Sequence, residues 1–215
     1  MLRILTAPEL DRRPALRDAM LRDRATQFRD RLGWPVHVDD RGCERDEYDH
    51  AGALYVIVEG AGGRHEGSAR FLPTVGPHMA ADHFTHLLGG GALRSPLIWE
   101  VTRFCLAPGA GQHVAPMLML GGAEVMRARS LTHLLGVFDL AMLRVYAGIG
   151  AAPEVLGTQG GIGMGLWAEG AEARARLLRR ARLHPEALAE AIDAPALVPH
   201  PALMPGSLPA MAHAA

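Results

Sequence analysis

A strand-like segment with charged residues near its centre most constrains how this chain can fold. Residues 97–106 are mostly apolar, β-branched or aromatic, yet polar residues interrupt them, Glu100 and Arg103 among these. A glycine-rich turn at 108–111 and an apolar, helix-like stretch at about 113–129 follow directly. Polar groups in a central strand are costly unless they are paired. We therefore expect a central strand that carries a functional site, followed by a helix.

Shorter segments on both sides predict the rest of the fold. Their order is strand, hairpin, strand, helix, strand, helix and strand, which indicates an α/β fold with a mixed sheet between layers of helices. The predicted strands are 2–5, 53–58, 67–72, 97–106, 134–138 and 154–156, and the predicted helices start at Pro14 and lie near 80–88, 113–129 and 141–147.

The composition changes near residue 168. Residues 168–182 are rich in alanine, arginine and glutamate, which predicts a solvated helix, and 185–193 are expected to form another. Repeated prolines with few charges then predict a flexible tail. The chain is thus divided into one domain at 1–167, extra C-terminal helices at 168–194, and a proline-rich tail at 195–215.

Several classes of function are excluded by composition. All 22 basic residues are arginine, so Schiff-base lysine chemistry and P-loop phosphate binding are ruled out. A net charge of −1 argues against general nucleic-acid binding. Without a signal peptide or an apolar run of about 18 residues, we expect a cytoplasmic protein with no membrane span. His83 and His86 lack acidic or cysteine ligands at a suitable spacing, so no metal is expected.

Charged and aromatic residues recur at fixed spacings through the first half of the chain. Taken singly, each has an ordinary explanation as a solvated charge, a core aromatic residue or a structural ion pair. The blocks are Arg24-x3-Phe28-x5-Trp34, Glu44-x-Asp46-x-Tyr48-Asp49, Arg70-Phe71-Leu72-Pro73-Thr74 and Glu100-x2-Arg103-Phe104. Together, in this order, they resemble the LuxI-type acyl-homoserine-lactone synthases, over about residues 1–165.

The resemblance implies a fold, a reaction and partners. The fold of this family is GNAT-like, which agrees with the mixed sheet and the turn into a helix predicted above. The reaction joins the acyl group of an acyl-acyl carrier protein to the amine of S-adenosylmethionine and then closes the lactone, with release of methylthioadenosine. S-adenosylmethionine is thus a substrate, no cofactor or metal is implied, and acyl-CoA remains open as a second donor.

The resemblance also implies roles for individual residues. Glu100 is the expected general base. Burial near Asp46 or Asp49 would raise its pKa and Arg103 or Arg70 would lower it, and the sequence leaves the balance between them open. Arg70 and these acids are expected to fasten the loop 39–50 to the sheet. The residues assigned to catalysis are Glu100, Arg103, Asp46, Asp49 and Arg70, and those assigned to substrate binding are Arg24, Phe28, Trp34 and Phe104.

Substrate chemistry explains these assignments. Arg24 or Arg103 suits the carboxylate of S-adenosylmethionine, and acidic and aromatic side chains suit its sulfonium. Backbone N–H groups near 103–106 are candidates to stabilise the oxyanion of the tetrahedral stage. Lactone closure is an internal displacement, so positioning should dominate it.

The acyl chain needs an apolar pocket, and the acyl donor needs a docking surface. Gly136 stands where relatives that make 3-oxo signals carry a hydroxyl residue, which favours an acyl group without that substituent. The carrier protein is acidic, so a basic run on the helix at 168–182 is a docking candidate. The pocket residues are expected to be Met117, Val137, Phe138 and Met142, and the basic run is Arg174, Arg176, Arg179, Arg180 and Arg182.

Three other functions were weighed. A GNAT-like N-acyltransferase that uses acyl-CoA and another amine would need no S-adenosylmethionine. A non-catalytic binding module would not need every motif position to be filled, as they are here. A methyltransferase would need a glycine-rich strand–helix unit near the N-terminus, which the sequence lacks.

Overall fold

Eight strands form one mixed sheet within residues 1–197, the part of the chain that this computed structural model describes. The predicted tail from residue 198 onward lies outside the described residues. In chain order the strands are β1 (Leu2–Thr6), β2 (Leu54–Glu59), β3 (His65–Pro73), β4 (Ile98–Leu106), β5 (His133–Asp139), β6 (Glu154–Gln159), β7 (Ile162–Ala168) and β8 (Ile192–Asp193). Their order across the sheet is β6-β7-β5-β4-β3-β2-β1-β8, so β4 is central, as predicted.

Helices cover both faces of this sheet. The α-helices are α1 (Ala7–Asp11), α2 (Pro14–Ala25), α3 (Met79–His83), α4 (Val114–Ala128), α5 (Met142–Ile149), α6 (Ala171–Ala181) and α7 (Leu188–Ala191). A π-helix (Thr26–Arg31) continues α2, and short 3-10 turns lie at Ala61–Gly63, Thr85–Leu88, Pro185–Ala187 and Pro195–Leu197. Among the helices that the structure describes, none is long and apolar enough to cross a membrane.

The two faces of the sheet bury separate cores because successive strand side chains point to opposite sides. On β2, Tyr55 and Ile57 pack with α1 and α2, whereas Val56 packs with α4. The α4 core also contains Leu177 and Leu178 of α6. The mixed sheet flanked by helices that the sequence predicts is therefore confirmed.

Three C-terminal features differ from the sequence predictions. β7 was missed; all seven of its residues pair with β5, and five of them also pair with β6. The helix expected to be solvated, α6, instead buries Leu177, Leu178 and Ala181, because this stripe packs on α4. The second expected helix is short, and it leads into β8, which pairs in parallel with β1.

The neighbouring strands β4 and β5 separate along their length. They pair in parallel from Ile98 opposite His133 to Val101 opposite Gly136, and no further. Beyond that point β4 continues to Leu106 and β5 to Asp139. A wedge therefore opens between two central strands, and one edge of β4 faces it without a β5 partner.

A β-bulge on β4 redirects Arg103. Opposite β3, Thr102 pairs with Arg70 and Cys105 pairs with Ser68, so two residues of β4 oppose one of β3. Arg103 has a φ of 51°, in the left-handed region that non-glycine residues rarely adopt. Simple alternation would send Arg103 to the opposite face from Thr102. The bulge turns it to the same face, towards α2.

Candidate active site

Six charged side chains, none more than 12% exposed, form a closed ring beside β4. Each arginine contacts two acids and each acid contacts two arginines. In order around the ring the members are Arg24, Glu44, Arg103, Asp46, Arg70 and Asp49, and the last contacts the first. Most contacts lie between 2.5 Å for Arg24 with Glu44 and 3.0 Å for Arg70 with Asp49. We call this set the ion-pair ring.

The ion-pair ring joins three parts of the fold. Arg24 comes from α2, Arg70 from β3 and Arg103 from the bulge of β4, while all three acids come from the loop between the π-helix and β2. The expectation that Arg70 fastens this loop to the sheet is confirmed by its contacts with Asp46 and Asp49. Three positive and three negative charges balance, so the ring is neutral as a whole.

Burial makes the ring charges depend on one another. Burial alone would raise the pKa of the Asp49 carboxyl, but the Arg24 and Arg70 guanidinium groups hold it well below its usual range. Burial opposes the charge of Arg24, and Asp49 and Glu44 more than offset this, so its pKa is raised. Losing one partner of such a buried pair typically costs about 3–5 kcal/mol because a charge is left unpaired.

Glu100 lies outside the ring and is held by backbone groups. Its carboxylate accepts an N–H from Met79 at 3.0 Å and one from Ala80 at 2.6 Å, both in the first turn of α3. Burial raises the pKa of Glu100 to about 7, and the Asp82 charge adds to this. The two N–H groups and Arg70 act in the opposite direction. The acid whose charge raises the Glu100 pKa further is therefore Asp82. This corrects the expectation that Asp46 or Asp49 has that effect.

A cavity of about 1130 Å³ runs through the wedge between β4 and β5. Phe28 of the π-helix and Trp34 after it line its charged end, and their rings stack 5.2 Å apart and nearly parallel. The Arg103 guanidinium lies 5.4 Å from the centre of the Phe28 ring. Glu100, Arg103 and Phe104 line the same cavity. A cation, a carboxyl group and a stacked aromatic pair are thus offered side by side to one ligand.

The other end of the cavity is apolar and lies among α4, α5 and α6. Met119, Gly122, Ala123 and Met126 of α4 line it at the spacing of a single helix face. Val137, Phe138 and Met142 also line it, as expected. Met117 does not: it borders a different pocket with Arg3 and Val58, because it points to another side of α4.

Aromatic rings close this apolar end over glycines. Phe138 packs against Tyr146 and Trp167 with edge-to-face geometry at 5.6 Å between ring centres. Gly163 and Gly165 of β7 lie under the Phe138 ring, and a Cβ at Gly163 would come within 3.0 Å of it. A Cβ at Gly136 would come within 2.8 Å of the Trp167 ring. The glycines are what allow these rings to lie against the sheet.

The structure separates the nine predicted catalytic and substrate-binding residues into two sets. Those that line the cavity are Glu100, Arg103, Phe28, Trp34 and Phe104, and those that stand behind its wall are Arg24, Asp46, Asp49 and Arg70. Arg24 is only 1% exposed and its guanidinium is occupied by Glu44 and Asp49, so it does not reach the cavity.

Sequence reasoning missed two residues of the site. Glu44 stands in the quoted motif, two residues before Asp46, and this spacing was the available signal. Met79 carries no motif, yet its N–H binds Glu100 and its sulfur lies 3.4 Å from the Arg103 guanidinium. No pattern in the sequence points to a backbone N–H as a ligand.

Comparison with known proteins agrees with this site. The model of the autoinducer synthase family matches residues 9–165. The acyl-homoserine-lactone synthase of Rhizobium etli is 40% identical over 178 residues, which is 78% of this chain and 84% of that protein. A probable acyl-homoserine-lactone synthase of Sinorhizobium fredii is 36% identical over 149 residues, 65% of this chain and 71% of that protein.

Solved structures with a similar fold include acyl-homoserine-lactone synthases. LasI is 26% identical, with a TM-score of 0.72 over 82% of this chain and 93% of that one. TofI, in a ternary complex with an inhibitor and MTA, is 28% identical, with a TM-score of 0.64 over 80% and 92%. BjaI, described as CoA-dependent, is 19% identical with a TM-score of 0.77 over 90% and 92%, which shows the fold alone.

The architecture is the mixed sheet flanked by helices that the sequence predicted. Within that architecture, the match of residues 9–165 and the identity to curated relatives decide the family. The chain belongs to the autoinducer synthase family.

Proposed function

We propose that this protein makes an acyl-homoserine lactone from S-adenosylmethionine and an acyl thioester. The observation that carries the proposal is one cavity with two unlike ends. Its charged end offers Glu100, Arg103 and a stacked aromatic pair, and its apolar end is long enough to take a chain. This suits a polar, charged amine substrate joined to an apolar acyl group.

S-adenosylmethionine fits the charged end. Its carboxylate is matched by Arg103, which lines the cavity, whereas Arg24, the other candidate, is only 1% exposed and does not line it. Its sulfonium is attracted to the faces of Phe28 and Trp34, as cations generally are to aromatic rings. Arg103 is itself held by Glu44 and Asp46, so its guanidinium is fixed in advance.

Amide formation begins when the amine loses a proton and attacks the thioester carbonyl. Glu100 lines the cavity, and with its pKa raised to about 7 it is suited to accept that proton near neutral pH. The new C–N bond forms and the carbon–sulfur bond of the thioester breaks. The second proton of the nitrogen passes to the released thiolate, and the proton first taken by Glu100 returns to solvent. Backbone groups of β4 beyond Val101, where β5 no longer pairs, are placed to stabilise the oxyanion.

Lactone closure follows inside the same substrate. A carboxylate oxygen attacks the carbon next to the sulfonium, the carbon–sulfur bond breaks, and methylthioadenosine leaves with the electron pair. No proton is transferred, so the protein has only to fold the substrate into the reactive shape. Arg103 and the aromatic pair are suited to that positioning.

The acyl chain is assigned to the apolar end. Val137, Phe138 and Met142 support this part of the prediction by lining it, together with the α4 residues that replace Met117. Trp167 covers Gly136, and apolar atoms therefore occupy the place where a hydroxyl side chain would serve a 3-oxo group. We propose a product without a 3-oxo substituent.

The acyl donor is proposed to be an acyl carrier protein, with acyl-CoA as the competing donor. Of the basic run on α6, Arg174 is engaged by Glu124 at 2.5 Å and Arg176 by Glu172 at 2.6 Å. This leaves Arg179, Arg180 and Arg182 as the docking candidates. If Arg179→Glu with Arg180→Glu does not raise the KM for an acyl-acyl carrier protein, that docking site is wrong.

Mass spectrometry of culture extracts tests the function. The protein is expressed in a bacterial host that makes no such signals, and the extract is searched for the homoserine-lactone fragment. We expect lactones from the natural sequence and none from a folded Glu100→Ala variant. Purified protein is then given S-adenosylmethionine with either acyl-acyl carrier protein or acyl-CoA. Acyl transfer to another amine, with no methylthioadenosine released, would instead support a GNAT-like N-acyltransferase.

A further inference from the structure

Both carboxylate oxygens of Glu100 depend on the placement of one short helix. The N–H of Met79 binds Oε2 and the N–H of Ala80 binds Oε1. These groups belong to α3, which has only five residues. A helix this short is not stable by itself in water, so its position must be fixed by contacts with the rest of the protein.

A tyrosine from the loop of the ion-pair ring makes such a contact. The Tyr48 hydroxyl donates to Oδ2 of Asp82 at 2.9 Å and lies 3.1 Å from Nε2 of His83, both on α3. The backbone N–H of Tyr48 donates to Oδ1 of Asp46 at 3.0 Å. The Tyr48 ring lies under the Arg70 guanidinium at 5.6 Å. Tyr48 thus contacts α3 and two members of the ion-pair ring, Asp46 and Arg70.

We propose that Tyr48 and Asp82 are positioning residues that fasten α3 to the ion-pair ring and so aim the N–H groups of Met79 and Ala80 at Glu100. The proposal rests on the role of Glu100 as the general base given above. It assigns a task to Tyr48, which the sequence motif contains without a function, and to Asp82, which no motif contains.

Asp82 has a second effect through its charge. Burial raises the pKa of Glu100, and the Asp82 carboxylate raises it further, while the two N–H groups and Arg70 lower it. The other charged or titratable groups around this point are His83 on α3, Tyr48 and Asp46 on the loop, and Arg103 on the bulge of β4. Two substitutions separate the contact of Tyr48 with α3 from the effect of the Asp82 charge on Glu100.

Tyr48→Phe removes the hydroxyl and keeps the Asp82 charge. We expect the amides of Met79 and Ala80 to exchange with solvent roughly tenfold faster, which is the effect of losing about one hydrogen bond. We also expect kcat to fall more than the KM for S-adenosylmethionine changes. Hydrogen exchange of peptides that span residues 77–84 provides the measurement. The control is Tyr146→Phe, because the Tyr146 ring packs on Phe138 and Trp167.

Asp82→Asn removes the charge and keeps an oxygen that can accept from Tyr48. We expect exchange close to that of the natural protein, and an acidic limb of the kcat profile that moves to lower pH, because a charge that raised the Glu100 pKa is gone. Glu47→Gln is the matched control: this acid is near His83 but its side chain is 69% exposed, and its loss should move the limb less.

Two results would overturn the proposal. One is that the amides of Met79 and Ala80 exchange with solvent no faster in Tyr48→Phe than in Tyr146→Phe. The other is an acidic limb that moves no further in Asp82→Asn than in Glu47→Gln. The exchange measurement needs no turnover, so it stands even if the protein makes no lactone. Absence of lactone would count against the proposed function, and unchanged exchange would count against the fastening of α3.

Discussion

The charged end of the cavity and its apolar end are held in place by different forces. At the charged end, three arginines and three acids are paired in a closed ring. At the apolar end, aromatic rings lie on glycines of β5 and β7. A charge pair is either complete or leaves a costly unpaired ion, whereas packing loses stability in proportion to the volume disturbed.

The largest effect is expected when one acid is removed from the ion-pair ring. Glu44→Ala leaves Arg24 and Arg103 facing each other without the carboxylate between them. We expect the free energy of unfolding to fall by about 3–5 kcal/mol, as for other buried pairs that lose one partner. Urea denaturation gives the value, and Glu47→Ala, an exposed acid of the same loop, is the control. Equal losses in the two variants would mean that the ring does not hold the loop.

A smaller loss is expected when the apolar end is overfilled. Gly136→Ala puts a methyl group within 2.8 Å of the Trp167 ring, which must then move. Overpacking of this kind typically costs about 1–3 kcal/mol. Gly148→Ala is the matched control, because a Cβ at Gly148 meets nothing within 4 Å on a helix that favours alanine. A Gly136→Ala variant as stable as Gly148→Ala would show that Trp167 is not seated on this glycine.

The smallest of these effects concerns one hydrogen bond at the apolar end. The indole N–H of Trp167 donates to the carbonyl of Ala151 at 2.7 Å. Trp167→Phe keeps an aromatic ring and removes this donor, so we expect an extra loss of about 0.5–1.5 kcal/mol. The comparison is with Trp99→Phe, since Trp99 is packed against the same core. Thermal unfolding of both variants decides whether this bond contributes.

The charged end was largely predictable from the sequence for a physical reason. Charges in segments that otherwise read as buried must find partners, so Arg70, Glu100 and Arg103 attract attention without a structure. The sequence could not tell which charges pair. Arg24 could be a solvated charge or a group that binds the substrate carboxylate, and only the fold puts it between Glu44 and Asp49.

The apolar end was less predictable because helix and strand faces depend on what packs against them. Met117 and Met119 are equally apolar, and only the position of the sheet decides that Met119 faces the cavity. Gly163 and Gly165 weaken the strand pattern of β7, since glycine has low strand propensity. The Phe138 ring that requires these glycines is on another strand, and nothing local in the sequence reveals it.

The central claim is that the reaction depends on Glu100 as a base tuned to neutral pH. Methylthioadenosine release at saturating substrates, followed from about pH 5 to about pH 9, tests it most directly. We predict that kcat of the natural protein rises with pH to a plateau, with a limb close to pH 7, because the Glu100 carboxyl must lose its proton to act. Glu100→Gln should lower kcat by about 10²–10⁴-fold and abolish this limb. A folded Glu100→Gln variant that keeps both the rate and the limb would contradict the account.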